Sequence, residues 1–100
     1  RFATYLLRYF FDVWSGDCLW SANDAARERF GYPVFLEDLG LSDKTIQDGK
    51  LLIKRLQDEV TRESLGYGIP HDEQFDVDAR AFVIVLRDEL GSDFEILDEL

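Results

Sequence analysis

Residues 18–33, CLWSANDAARERFGYP, constrain the fold most, because an aromatic N-terminus gives way here to a clearly bounded helix. Ser21 or Asn23 can cap the backbone N–H groups of a helix that begins at Asp24, whose carboxylate also suits the positive end of the helix dipole. Alanines and a phenylalanine recur every four residues as one apolar stripe. The Gly-Tyr-Pro that follows supplies a glycine for the left-handed position after a helix and a proline that stops it. The sequence therefore predicts a short helix over residues 24–30.

Residues 2–14, FATYLLRYFFDVW, allow two interpretations. As a helix the segment would carry one polar stripe of residues four apart, namely Thr4, Arg8 and Asp12. Its density of Phe, Tyr, Val and Trp, with no Glu or Lys, is instead typical of a strand. The Ser-Gly-Asp cluster at residues 15–17, followed by a short apolar segment, indicates a turn and a return strand. We therefore predict an antiparallel hairpin over residues 4–21, which needs a third strand or helices to cover it.

Apolar spacing predicts two longer helices in the rest of the chain. The first covers about residues 42–64, with its opening serine as the cap, and the second covers residues 72–90 until a glycine ends it. Gly49 lies inside the first helix and costs about 1 kcal/mol relative to alanine, which indicates that another element approaches closely there. Alternating apolar and polar residues in 93–100 predict a last short strand beside the N-terminal one.

The predicted elements make one globular domain of the α+β class over residues 1–100. We expect a small antiparallel sheet, formed by the N-terminal hairpin plus the C-terminal strand, packed against about three helices. The single cysteine, Cys18, lies between apolar neighbours, so we expect a buried and unreactive thiol in a reducing compartment. No apolar run is long enough to span a membrane, and the N-terminus has no signal-peptide pattern, so we expect a cytoplasmic protein.

Charge is the most informative property of the composition. Eleven basic residues stand against twenty-one acidic ones, which gives a formal net charge of −10. Nucleic-acid binding is disfavoured, because phosphate contacts need a surplus of lysine and arginine on some face. The surplus of acid is concentrated in residues 71–100, with ten acidic and two basic side chains. An acidic face of this kind can steer a basic protein partner.

No pattern in the sequence predicts a metal, a cofactor or a catalytic site. One cysteine and one histidine cannot supply the four ligands of structural zinc, and no stretch has the ligand order of a calcium loop. Asp76 and Asp78 lie two apart, which on a helix points them about 200° away from each other. We therefore expect a protein that is not an enzyme. The alternative is a small enzyme or ligand-binding domain with a pocket between the hairpin and the helices.

The predicted partner-binding site combines a glycine-rich loop with the start of the last long helix. Residues 65–74, LGYGIPHDEQ, present large apolar side chains between glycines and a proline, and aromatic residues on loops often anchor interfaces. Four carboxylates follow within seven residues, where they would set the encounter rate and the choice of partner. The predicted site residues are Tyr67, Ile69, Asp72, Glu73, Asp76 and Asp78.

Four blocks in the first third of the chain carry a family resemblance: YLLRYFFD at residues 5–12, GDCLWS at 16–21, NDAAR at 23–27 and FGYP at 30–33. These blocks resemble a group of small uncharacterised bacterial proteins. The size and acidity of the chain are also similar to those of immunity proteins of bacterial toxin systems. That similarity implies a cytoplasmic inhibitor that binds and blocks a basic toxin or nuclease, and it assigns no role to any single residue.

Overall fold

The computed structural model describes residues 3–12, 14–64 and 73–100, with the side chains of residues 60–64 left undescribed. These residues form three strands, three α-helices and one turn of 3₁₀-helix, so the predicted α+β class is confirmed. In chain order the elements are β1 (Tyr5–Asp12), β2 (Asp17–Ser21), α1 (Asp24–Phe30), the 3₁₀ turn (Leu36–Asp38), α2 (Asp43–Ser64), α3 (Glu73–Leu90) and β3 (Phe94–Asp98).

The sheet has the strand order β2-β1-β3 and mixed direction. β1 and β2 form the predicted antiparallel hairpin, in which Leu7 lies opposite Ser21. β3 runs parallel to β1, with Ile96 opposite Leu7, so the prediction of a wholly antiparallel sheet is wrong in this detail. The alternation of apolar and polar residues along a strand predicts which side chains share a face of the sheet. It is the same in parallel and antiparallel strands, so it could not predict the direction of β3. The direction of β3 is set by the path of the helical connection that precedes it.

The start of α1 resolves which residue caps it. Asn23 Oδ1 accepts a hydrogen bond from the Ala26 N–H at 3.0 Å, as an N-cap does. The same oxygen accepts from the Leu6 N–H at 3.3 Å, and Asn23 Nδ2 donates to the Thr4 carbonyl at 3.1 Å. Asn23 therefore caps the helix and also ties it to the beginning of β1, while Ser21 is the last residue of β2.

The core lies between one face of the sheet and the helices. Tyr9 on β1 is fully buried, and its hydroxyl donates a hydrogen bond to the Ala79 carbonyl of α3 at 2.7 Å. This bond satisfies a polar group in the centre of the core and fixes α3 against the sheet. The largest fully buried side chains are Tyr9, Leu7, Leu19, Leu86, Val34, Val83 and Cys18.

Gly49 of α2 confirms the prediction of a close approach. A Cβ atom placed on Gly49 would lie 2.6 Å from Leu36 Cδ1 and 2.8 Å from Phe82 Cζ. The 3₁₀ turn and α3 therefore both press against α2 at this residue. The cost of glycine inside a helix is offset by the packing that its small size allows.

α2 and α3 run antiparallel, as three contacts between them show. Residues near the start of α2 meet the end of α3, where Thr45 donates a hydrogen bond to Glu89. Farther along α2, Gly49 faces Phe82. Arg55 then pairs with Asp78, near the start of α3, at 2.8 Å. The two helices thus form a layer whose inner face covers the sheet and whose outer face is open to solvent.

Candidate protein-binding site

The structure describes three of the six predicted site residues. Tyr67, Ile69 and Asp72 lie outside the described residues, and the other three lie in the first two turns of α3. Glu73 is exposed, whereas Asp76 and Asp78 are partly buried. Asp78 accepts hydrogen bonds from Arg55 and from Gln74 Nε2, each at 2.8 Å, so this carboxylate is already bound within the chain. Glu73 is therefore more available to a binding partner than Asp78 is.

α3 carries a second apolar stripe on the side away from the core. Its core stripe consists of the buried residues Phe75, Ala79, Phe82, Val83 and Leu86. On the outer side, Val77 and Ile84 expose 59% and 64% of their surface, and Val85 exposes 42%. Ala81 lies between them, at three or four residues from each, so the four side chains are neighbours on the helix. We call the set Val77, Ala81, Ile84 and Val85 the outer stripe.

Sequence reasoning missed the outer stripe because three of its four residues lie within one uniformly apolar segment. AFVIVL at residues 81–86 is compatible with a helix buried on every side. The available signal was the spacing of residues 77, 81, 84 and 85, which is itself helical and points about 180° away from the core stripe.

Exposed carboxylates lie at both ends of the outer stripe. Glu73 precedes Val77 by four residues, and Asp88 follows Ile84 by four, which places each carboxylate one helical turn from the apolar side chains. Both side chains are exposed, and neither forms an ion pair within the part of the chain that the structure describes. An apolar centre with a charged rim is the usual composition of a protein-protein interface.

A groove of about 660 Å³ runs along the outer side between α2 and α3. Its apolar lining consists of Leu51, Leu52, Ala81, Phe82 and Val85. Leu52 and Phe82 are buried and form the floor, whereas Leu51 and Val85 remain exposed at the edges. The charged edges are held by ion pairs, Lys54 with Asp58 at 3.1 Å and Arg55 with Asp78 at 2.8 Å. The groove is thus an apolar depression whose own charges are largely balanced.

Glu89 is an exposed carboxylate with a structural role. It accepts hydrogen bonds from the Ser42 N–H at 2.8 Å and from the Thr45 hydroxyl, and these bonds lower its pKa. Ser42 Oγ in turn accepts from the Thr45 N–H at 3.2 Å, so the predicted serine cap of α2 is confirmed. Glu89 therefore anchors the end of α3 to the start of α2 and is less available to a partner than Asp88.

A smaller cavity of about 150 Å³ lies where the hairpin meets the 3₁₀ turn and α2. It is lined by Cys18, Val34, Phe35 and Ile53 among others, with Asp17, Glu37 and Lys50 at its edge. This is the position predicted for the alternative ligand site. Its volume lies below the range of about 300 to 1,000 Å³ that is usual for small-molecule pockets.

Cys18 is buried beside that cavity, as predicted, and its burial raises the pKa of the thiol to about 12. Because the thiolate is the reactive form, we expect the native protein to react with a bulky disulfide reagent at least about a hundredfold more slowly than the urea-unfolded protein at pH 8. The release of reagent chromophore over time measures this rate. Equal rates in the native and unfolded states would contradict the burial of Cys18.

The fold and the site together define a small two-layer α+β domain with an apolar groove and an acid-flanked helix on its outer side. No protein-family model matches the sequence, and comparison with curated proteins and with solved structures found no match either. Among the described helices, none is both long enough and apolar enough to cross a membrane. Within residues 3–12, 14–64 and 73–100, no group of three or more His, Cys, Asp or Glu side chains is arranged to hold a metal ion.

Proposed function

We propose that the protein is a non-catalytic acidic binding module, an immunity-type inhibitor that binds a basic toxin or nuclease in the cytoplasm. The observation that carries the proposal is the outer stripe of α3 with an exposed carboxylate one turn beyond each end. Interfaces draw affinity from central apolar anchors, while the charges around them set the encounter rate and the choice of partner. The loop residues Tyr67, Ile69 and Asp72, which lie outside the described residues, stay predicted members of the binding site.

The distribution of charge supports a basic partner. The acid-rich residues 71–100 supply α3 and β3, and their two arginines are already engaged within the chain. Arg80 lies 3.7 Å from Asp98, and Arg87 donates a hydrogen bond to the Ile96 carbonyl at 2.8 Å. A chain of net charge −10 attracts a basic protein over about a Debye length and repels an acidic one.

The first experiment identifies the partner. The protein, expressed with an affinity tag in its native cytosol, should leave the cell in a stoichiometric complex with a basic protein. The gene beside its own is the first candidate, and its product should be toxic when expressed alone and harmless when both are expressed. A protein that is recovered without a partner, and that does not protect cells from the neighbouring gene product, would refute the proposal.

Charge reversal on α3 is expected to slow the formation of that complex. The double variant Glu73→Lys with Asp88→Lys should lower the association rate constant roughly tenfold or more at low ionic strength, with less effect on dissociation. The measurement is surface plasmon resonance or stopped-flow fluorescence at several salt concentrations.

The matched control is Glu28→Lys with Asp38→Lys, which changes net charge by the same four units at exposed carboxylates on α1 and the 3₁₀ turn. It should slow association less than the α3 variant does. Equal slowing by both variants would mean that net charge alone steers the partner, and the assignment of binding to α3 would then be wrong.

A further inference from the structure

We infer that the α2–α3 groove receives an amphipathic helix of the basic partner, which carries apolar anchors on one face and lysine or arginine beyond them. This inference rests on the proposed function and specifies the part of the partner that is recognised. It follows from the shape of the groove, from the spacing of its apolar side chains and from the exposed carboxylates of α3.

The shape fits a helix better than an extended chain. Along α2 the groove extends from Asp48 to Asp58, about 15 Å at the rise of a helix. A guest helix presents anchors at positions i, i+3 or i+4, and i+7 over about 10 Å of its length, all on one side. An extended peptide turns alternate side chains away and places its same-face anchors about 7 Å apart. The antiparallel pair of helices therefore offers a trough in which a third helix can pack at the usual distance.

The two walls of the groove offer apolar contacts to a guest helix. Leu51 on α2 exposes 57% of its surface and Val85 on α3 exposes 42%, and they are the large exposed apolar side chains on its two walls. Ala81 leaves space between them. The ion pairs of Lys54 and Arg55 neutralise the charges of the walls, so an apolar guest face meets little uncompensated charge there.

The exposed carboxylates of α3 favour a basic guest helix. Glu73 and Asp88 lie at opposite ends of α3, about 22 Å apart along the helix axis. Both carboxylates lie outside the arc of α3 that lines the groove, so they attract a basic guest helix through their long-range field rather than by direct contact, and they repel an acidic one. The same argument disfavours a second copy of this chain, because its outer face would bring its own Glu73 and Asp88 to the interface.

The test selects random 20-residue peptides from a display library against the immobilised full-length protein. Enriched sequences should be basic, should have apolar residues at helical spacing and should become helical on binding by circular dichroism. Labelled synthetic copies should bind with micromolar affinity by fluorescence anisotropy. Leu51→Glu and Val85→Glu should each weaken binding at least tenfold, while the matched control Leu97→Glu on β3, where the native leucine is 39% exposed, should change it less than twofold. The far-ultraviolet spectrum of each variant verifies that it is folded.

Several results would overturn the inference. Enrichment of acidic or extended peptides would contradict the inference, and so would a selection that yields no binder. Peptides whose binding does not respond to Val85→Glu would place recognition outside the groove. Sedimentation that shows a dimer which Val85→Glu dissociates assigns the groove to a second copy. A basic protein partner that binds Leu51→Glu as tightly as the parent refutes the groove alone and leaves the proposed function standing, because Leu51 lines the groove and is not part of the outer stripe.

Discussion

Replacing Phe82 by alanine is expected to lower the free energy of unfolding by about 4 kcal/mol, because truncation of a buried aromatic side chain to alanine typically costs about 3 to 5 kcal/mol. Phe82 is 5% exposed, and its ring packs between Tyr9 of the sheet and Gly49 of α2. Its centroid lies 6.5 Å from that of Tyr9, and its edge approaches Gly49. Removing it leaves a cavity under the groove that the rigid neighbours can fill only in part.

Urea unfolding followed by circular dichroism measures this change, and Ile84→Ala is the matched control. Ile84 lies two residues away on the same helix, is also large and apolar, and is 64% exposed. Its truncation should change stability by no more than about 0.5 kcal/mol. A loss near 4 kcal/mol in both variants would mean that the outer stripe is buried, and a loss below about 1.5 kcal/mol for Phe82→Ala would contradict its place in the core.

The contrast between Phe82 and Ile84 bears on function as well as on stability. A stable fold needs the core stripe of α3, while the outer stripe contributes little to folding of the isolated chain. Exposed valine and isoleucine in the middle of a helix face gain from burial only when another molecule covers them. Variants of the outer stripe should therefore separate binding from folding, which variants of the core stripe cannot do.

Much of the fold could be predicted because its determinants are local. The β1–β2 hairpin follows from an aromatic segment, a Ser-Gly-Asp turn and a short return strand. The cap of α1 follows from residue type and position, although the sequence left Ser21 and Asn23 as alternatives. Only the packing of Asn23 against β1, through the Leu6 N–H and the Thr4 carbonyl, distinguishes them.

Other features depend on contacts between distant residues. The parallel direction of β3 depends on how α3 crosses the sheet, and no local pattern encodes it. The partner of Asp78 is Arg55, twenty-three residues earlier, so the sequence could not show that this predicted site residue is held by an ion pair. The predictions for Tyr67, Ile69 and Asp72 lie outside the described residues and stay predictions. The outer stripe was encoded locally, but uniform hydrophobicity hid its direction.

Gly49→Val is expected to destabilise the protein by about 3 kcal/mol, because overpacking of a filled core typically costs 1 to 3 kcal/mol and β-branching adds a small helix penalty. A Cβ atom alone would lie 2.6 Å from Leu36 Cδ1 and 2.8 Å from Phe82 Cζ, and valine adds two methyl groups to it. Gly49→Ala should lower the free energy of unfolding by less, because alanine has a helix propensity about 1 kcal/mol more favourable than that of glycine. Thermal and urea unfolding measure both changes.

The control for β-branching is Leu51→Val, two residues along α2 at an exposed position, where valine should cost no more than about 0.5 kcal/mol. A double-mutant cycle then tests the cause of the Gly49 effect. If the added methyl groups collide with the ring of Phe82, Gly49→Val should cost less in the Phe82→Ala background, with a coupling free energy of about 1 to 2 kcal/mol. Simple additivity would contradict direct contact between residues 49 and 82. It would mean that Leu36 alone limits the side chain at residue 49, so that the approach of α3 to α2 under the groove would not depend on this glycine.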